Sequence, residues 1–172
     1  MHRPCRIGTN LCLVGVGVNR IGTNRTGEWV ITASGNALRI YHLPDESPLY
    51  KITERTQIAS VSMSQQGDLG LSAAGKVINV WSTADGRIIG SLRGHSGRVS
   101  YVSLDPAGRF AISCSEDRTL RLWSLSDMSC LGLLNAAASL TRCACNVSHE
   151  RILAGDSNGQ LYFLQHVGAG NR

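Results

Sequence analysis

His95, Ser113 and Asp117 are the residue types of a nucleophilic triad: a hydroxyl, an imidazole to take its proton and a carboxylate to orient the imidazole. A hydrolase serine of that kind often sits in a Gly-x-Ser-x-Gly elbow, whereas Ser113 lies in Ala-Ile-Ser-Cys-Ser. A second candidate, Gly70-Leu71-Ser72-Ala73-Ala74-Gly75-Lys76-Val77, comes within one residue of a phosphate-binding loop. The motif needs a hydroxyl after the lysine to hold magnesium, and a helix whose first amides meet the phosphate. Here Val77 follows Lys76, and Val77 to Trp81 reads as a strand. Gly15-Val16-Gly17 with Gly22 misplaces the third glycine of a dinucleotide fingerprint. Cys143-Ala144-Cys145 with His149 is half a zinc set at poor spacing, so the thiols are read as packed side chains. No catalytic residue, cofactor or metal is expected, and the chain is not read as an enzyme.

Composition is consistent with a folded, non-membrane domain. The 172 residues are 42% hydrophobic and 17% charged, enough for one domain with a sizeable core. The net charge is +5, with six arginines between Arg87 and Arg121. They are interrupted by Asp105, Glu116 and Asp117, so they read as a solvated surface and not as a nucleic-acid footprint. The cysteines at 5, 12, 114, 130, 143 and 145 make no disulfide framework and are read as reduced thiols. Leu11 to Val18 is too short and Gly-broken for a signal or a membrane span. The expected location is the cytoplasm, with the nucleus open, and no membrane partner is expected.

The elements that position these residues come from an internal repeat. The unit from Gly94 to Leu134 alternates apolar and polar residues in four short runs: Val99 to Leu104, Arg109 to Ser113, Thr119 to Ser124 and Ser129 to Leu133. Asp-Pro-Ala-Gly, Ser-Glu-Asp-Arg and Leu-Ser-Asp separate them, each a turn by its residue types. Three further units align with it. The anchor closing the third run falls at Tyr41, Trp81, Trp123 and Leu164, spaced 40, 42 and 41 residues apart. First-turn glycines at 27, 67 and 108 repeat the same period. Four-stranded sheets stacked radially bury both faces of such units, whereas helical repeats would space their apolar residues differently.

Gly94-His95, Asp117 and Trp123 resemble the WD-repeat signature, and the four units together cover nearly the whole chain. The resemblance implies an all-β fold of β-propeller blades, each of four antiparallel strands. Repeats are expected at 16–52, 57–93, 94–134 and 135–167 within a single region, 1–172. Four blades are fewer than most propellers hold, so a partial propeller is expected, needing further blades or a second copy to close a ring. Residues 1–15 are read either as the outer strand of the last blade or as a frayed end. The third unit matches best. Ser follows both Trp81 and Trp123, the other units lack the Gly-His pair, and the fourth has Asn158 and Leu164 at the Asp and Trp positions.

The same resemblance implies that Trp123, Ser113, His95 and Asp117 form a buried hydrogen-bonded tetrad, intact in the third unit alone. It also implies that partners dock on one face. The positions expected there are Arg98, Ser100 and Glu116, with Gln57 and Thr141 from the neighbouring units. Arg98 leads, because arginine is enriched among interface hot spots. A non-catalytic scaffold or adaptor for protein partners is the expected function. The alternative is a sensor or regulatory segment of a larger, NACHT-type signalling NTPase.

Overall fold

The computed structural model describes residues 18–43, 48–145 and 151–165. Fifteen β-strands and no helix occur among them. The first sheet is β1 (Arg20–Thr23), β2 (Trp29–Ser34), β3 (Ala37–His42) and β4 (Tyr50–Thr53). The second is β5 (Ile58–Met63), β6 (Leu69–Ala74), β7 (Val77–Ser82) and β8 (Ile88–Leu92). The third is β9 (Val99–Leu104), β10 (Phe110–Ser115), β11 (Thr119–Ser124) and β12 (Cys130–Asn135). The fourth holds three described strands, β13 (Leu140–Cys145), β14 (Arg151–Asp156) and β15 (Leu161–Gln165). Every sheet is an antiparallel meander in chain order. The all-β reading holds, and the first three sheets have the four antiparallel strands expected. The two strands expected at Arg109 to Ser113 and Ser129 to Leu133 each begin one residue later and end two residues later, because pairing extends to Ser115 against β9 and to Asn135 against β11.

In the first three sheets the turns between first and second strands share one device. A short polar side chain accepts the amide that opens the next strand: Asn24 Oδ1 from Trp29 at 3.1 Å, Ser64 Oγ from Leu69 at 3.1 Å, and Asp105 Oδ1 from Phe110 at 3.0 Å. This side-chain mimicry of backbone is why such residues favour turns. Gly27, Gly67 and Gly108 follow at φ of 77°, 81° and 68°, a region that side chains with a Cβ avoid. Asn24 also heads an Asn-Arg-Thr glycosylation pattern, but its side chain is buried and bonded within its own turn.

Alternation along the strands serves two cores at once. In the third sheet Leu120 and Leu122 turn towards the fourth sheet, packing with Leu140, Cys143 and Ile152. Trp123 turns the other way and packs with Leu71, Ile78 and Val80 of the second sheet. A third cluster joins Ile31, Leu38 and Ile40 of the first sheet to Ile58, Val61 and Trp81 of the second. Each pair of neighbouring sheets thus encloses one core.

First strands lie side by side, β1 by β5, β5 by β9 and β9 by β13. Their free edges are covered by side chains, since Ser60 Oγ accepts the Val102 amide at 3.3 Å and Ser62 Oγ that of Leu104 at 3.0 Å. Backbone bonds repeat between sheets too: Ile58 N to Gly35 O and Val99 N to Gly75 O, both 2.8 Å. The arrangement is a radial arc. Among the described residues β1 and β13 make no comparable contact, so the arc is open.

Candidate functional site

The structure joins His95, Ser113, Asp117 and Trp123 into one chain of hydrogen bonds. The Trp123 indole N–H donates to Ser113 Oγ at 2.8 Å. Ser113 Oγ lies 2.7 Å from His95 Nε2, and His95 Nδ1 lies 2.8 Å from Asp117 Oδ2. One proton arrangement satisfies every atom: Ser113 donates to Nε2, and Nδ1–H donates to the carboxylate. Asp117 also accepts the Ser96 amide at 2.9 Å, and the Thr119 hydroxyl and amide at 2.7 and 2.9 Å. The network runs from the Gly94–Arg98 loop and the β10–β11 hairpin, through Ser113 on β10, to Trp123 near the end of β11.

Burial holds His95 below its usual value, against the pull of Asp117, and Arg121 adds to the lowering. For Asp117, burial pushes upward, but the Thr119 hydroxyl, His95 and the Thr119 amide outweigh it and keep the carboxyl far below the usual range. A neutral imidazole and an ionised carboxylate result. Ser113 is 0% exposed, with its proton directed to Nε2 and a lone pair taken by the indole. No substrate carbonyl reaches that oxygen in this conformation.

A second network lies in the second sheet, joining Trp81 and Ser72 to Glu54, Asn79 and Ser91, which the sequence reading passed over. The Trp81 indole donates to Ser72 Oγ at 2.8 Å, and Ser72 donates to Glu54 Oε1 at 2.6 Å. The Asn79 amide donates to both Glu54 oxygens at 2.9 Å, and Ser91 donates to Asn79 Oδ1 at 2.8 Å. The second sheet is thus braced as well, by a different set of residues from the His95, Ser113, Asp117 and Trp123 tetrad of the third. Glu54 precedes His95 by 41 residues, and Ser72 precedes Ser113 by 41. Spacing alone marks Glu54, since neither residue of the Gly-His pair is present. The β6–β7 hairpin turns through Gly75 and Lys76 only, and is one residue shorter than its β10–β11 counterpart. It has no place for an aspartate, so one carboxylate on the preceding loop takes the roles of both His95 and Asp117. That hairpin is also where the phosphate-loop imitation falls, between two strands with no helix. The fourth sheet differs again. Tyr162 Oη accepts the Ala137 amide at 3.1 Å and donates to Asp156 Oδ2 at 3.0 Å.

Of the expected docking residues, Arg98 and Glu116 form an ion pair at 3.7 Å, both about half exposed. Ser139 Oγ donates to Glu116 O at 3.1 Å and ties the entry of the fourth sheet to the same hairpin. Gln57 is exposed and, with Arg98, lines a cleft of about 900 Å³ beside the Glu54 network. Ser100 and Thr141 are outside the cleft lining, on first strands β9 and β13. Thr141 Oγ1 donates to Gly155 O at 3.2 Å. No cluster of metal-ligating side chains occurs among the described residues. His149, Cys5, Cys12 and Gly15 to Gly17 lie outside the described residues, as does the segment 1–15 read as an outer strand.

Residues 95–166 match the family model described as a TEP-1 C-terminal beta-propeller. The U3 small nucleolar RNA-associated protein 15 homolog of Gallus gallus is 27% identical over 78% of this chain and 26% of its own length. WD repeat and HMG-box DNA-binding protein 1 of Xenopus laevis is 32% identical over 64% of this chain and 10% of its own. Eukaryotic translation initiation factor 3 subunit I of Aspergillus fumigatus is 27% identical over 62% of this chain and 32% of its own. The chain thus spans less than a third of the length of each of these relatives. With the period near 41 residues and the radial arc of four antiparallel sheets, these matches show that the chain is similar to the WD-repeat β-propeller proteins.

Proposed function

We propose that the chain is a non-catalytic scaffold that binds protein partners on the end of the arc carrying Gln57, Arg98, Ser100, Glu116 and Thr141. The observation that carries this is the bonding beneath that end. Two closed hydrogen-bond networks fix the loops of the second and third sheets, leaving Arg98 and Glu116 half exposed on a rigid support. Binding residues gather on loops held in this way. Buried Ser113 and the hairpin at Gly75-Lys76 supply no alternative chemistry, and the reading includes no cofactor or metal. No helix among the described residues is long and apolar enough to cross a membrane, and a cytoplasmic or nuclear location is part of the same proposal. Pull-down from cell extract with the native chain and an Arg98→Glu, Glu116→Arg variant tests the face. A changed set of partners supports it, and an unchanged set from a folded variant sinks it.

A second reading treats the chain as a regulatory segment of a larger signalling NTPase. It is favoured by the open arc and by the match to a propeller described as C-terminal. Flanking coding sequence with a phosphate-binding loop supports it; flanking sequence without one removes it.

A further inference from the structure

The cleft beside Gln57 has a chemistry that the scaffold reading does not use. Its walls come from the β4–β5 loop, the β6–β7 hairpin, β8 and the β8–β9 connection. Four cationic side chains line it: Arg55, Lys76, Arg93 and Arg98. Its one acidic lining residue, Glu54, is 8% exposed, and both its oxygens are held by Ser72 and Asn79. Arg55, Lys76 and Arg93 have no ion-pair partner among the described residues, and Arg98 reaches only exposed Glu116 at 3.7 Å. An exposed pair of that length is weak and easily exchanged. Ile88, 49% exposed, adds an apolar wall above buried Trp81.

We infer that this cleft takes a short acidic peptide segment, its carboxylates held by Arg55, Lys76, Arg93 and Arg98 and one apolar side chain against Ile88. The inference rests on the reading of the chain as a protein-binding scaffold and names the partner's chemistry. Three observations favour a peptide over nucleic acid. The cations ring one concave site instead of running in a stripe along a phosphate backbone. Trp81 is the only aromatic residue in the lining, and it is 4% exposed with its N–H committed to Ser72, so no base can stack on it. A volume near 900 Å³ suits a few residues of extended chain.

Fluorescence anisotropy on the full chain tests this. The probes are a labelled peptide of Glu and Asp with one central Leu, its Gln/Asn counterpart, and a single-stranded RNA of matching length. Expected is binding of the acidic peptide alone, weakened about tenfold or more by Arg55→Glu with Arg93→Glu. The milder Arg55→Gln, Arg93→Gln pair weakens it less and guards against misfolding, and Arg87→Glu, outside the lining, leaves it unchanged. Equal affinity across the variants, equal binding of the uncharged peptide, or tighter binding of the RNA overturns the inference. If partners in the pull-down depend on Arg98 and Glu116 while the acidic peptide fails to bind, the scaffold stands and this assignment falls.

Discussion

The Glu54 carboxylate in the second sheet holds the place that the His95 imidazole takes in the third, each bonded to the serine beneath a tryptophan indole. The two solutions differ in charge. His95 passes its bond on to Asp117, so the third network is anionic at its outer end, on the hairpin. In the second network the carboxylate itself accepts from the serine hydroxyl and also from the Asn79 amide.

This makes Glu54→Gln a sharp substitution. Glutamine keeps the shape but offers one acceptor where three bonds converge, and it turns an N–H₂ towards the donors of Ser72 or Asn79. A loss of about 1–3 kcal/mol is expected, measured as a lower urea midpoint with an unchanged slope. An unchanged midpoint would show that the network carries no stability.

The third network responds to acid. The folded-state value of His95 lies below the unfolded value near 6.5, so the unfolded chain takes up the proton first. Its contribution is complete above about pH 6.5 and is lost as pH falls through the folded value. Asp117 is also depressed, so its contribution begins to go below about pH 3.8. Urea unfolding at pH 7.5, 6 and 5 is expected to show falling stability, with a smaller fall in His95→Gln. Stability that rises across this window contradicts the assigned protonation states.

Gly97 sits where the Gly94–Arg98 loop crosses the β10–β11 hairpin. A Cβ there would lie 2.7 Å from the Asp117 amide nitrogen and 3.2 Å from the Glu116 carbonyl carbon. Both are backbone atoms and cannot swing aside. Gly97→Ala is expected to push the loop off the hairpin and destabilise the chain by about 1–3 kcal/mol. The His95 ring should then lose its bond to Asp117, visible as a shifted imidazole resonance. Native stability and an unmoved resonance would show that the loop yields freely.

Arg118 tests the opposite direction. It is exposed and holds φ at 67° in the hairpin turn, a conformation that disfavours a side chain. Arg118→Gly is expected to raise stability by up to about 1 kcal/mol, read as a higher melting temperature. A lower one would mean that the arginine side chain contributes more than its backbone strain removes.

Much of this architecture could be read from residue order. Val99 to Leu104 and Thr119 to Ser124 are strands at the boundaries expected, because alternation, turn chemistry and period agree there. The step of 42 between Trp81 and Trp123, against 41 between Ser72 and Ser113, encodes the extra hairpin residue that carries the third sheet's aspartate. Glu54 escaped notice because a motif is a list of residue types, whereas the serine needs only an acceptor at a given distance. Carboxylate and imidazole both meet that need. The basic cleft escaped for another reason: Arg55, Lys76, Arg93 and Arg98 come from three separate connections, and only the radial packing brings them around one hollow.

The sharing of cores between neighbouring sheets has a consequence for how the chain comes apart. The second and third sheets are clamped on both sides, while the fourth meets a partner on one side and presents Leu153, Leu161 and Phe163 on the other. Opening free energy should therefore grade along the arc, as in a short row of coupled spins where an end unit flips before an inner one. Amide exchange is expected to run fastest in β13 to β15 and slowest in β6, β7, β10 and β11. Whatever covers the free face of the fourth sheet would turn that end unit into an inner one, and would be felt as slower exchange throughout the row.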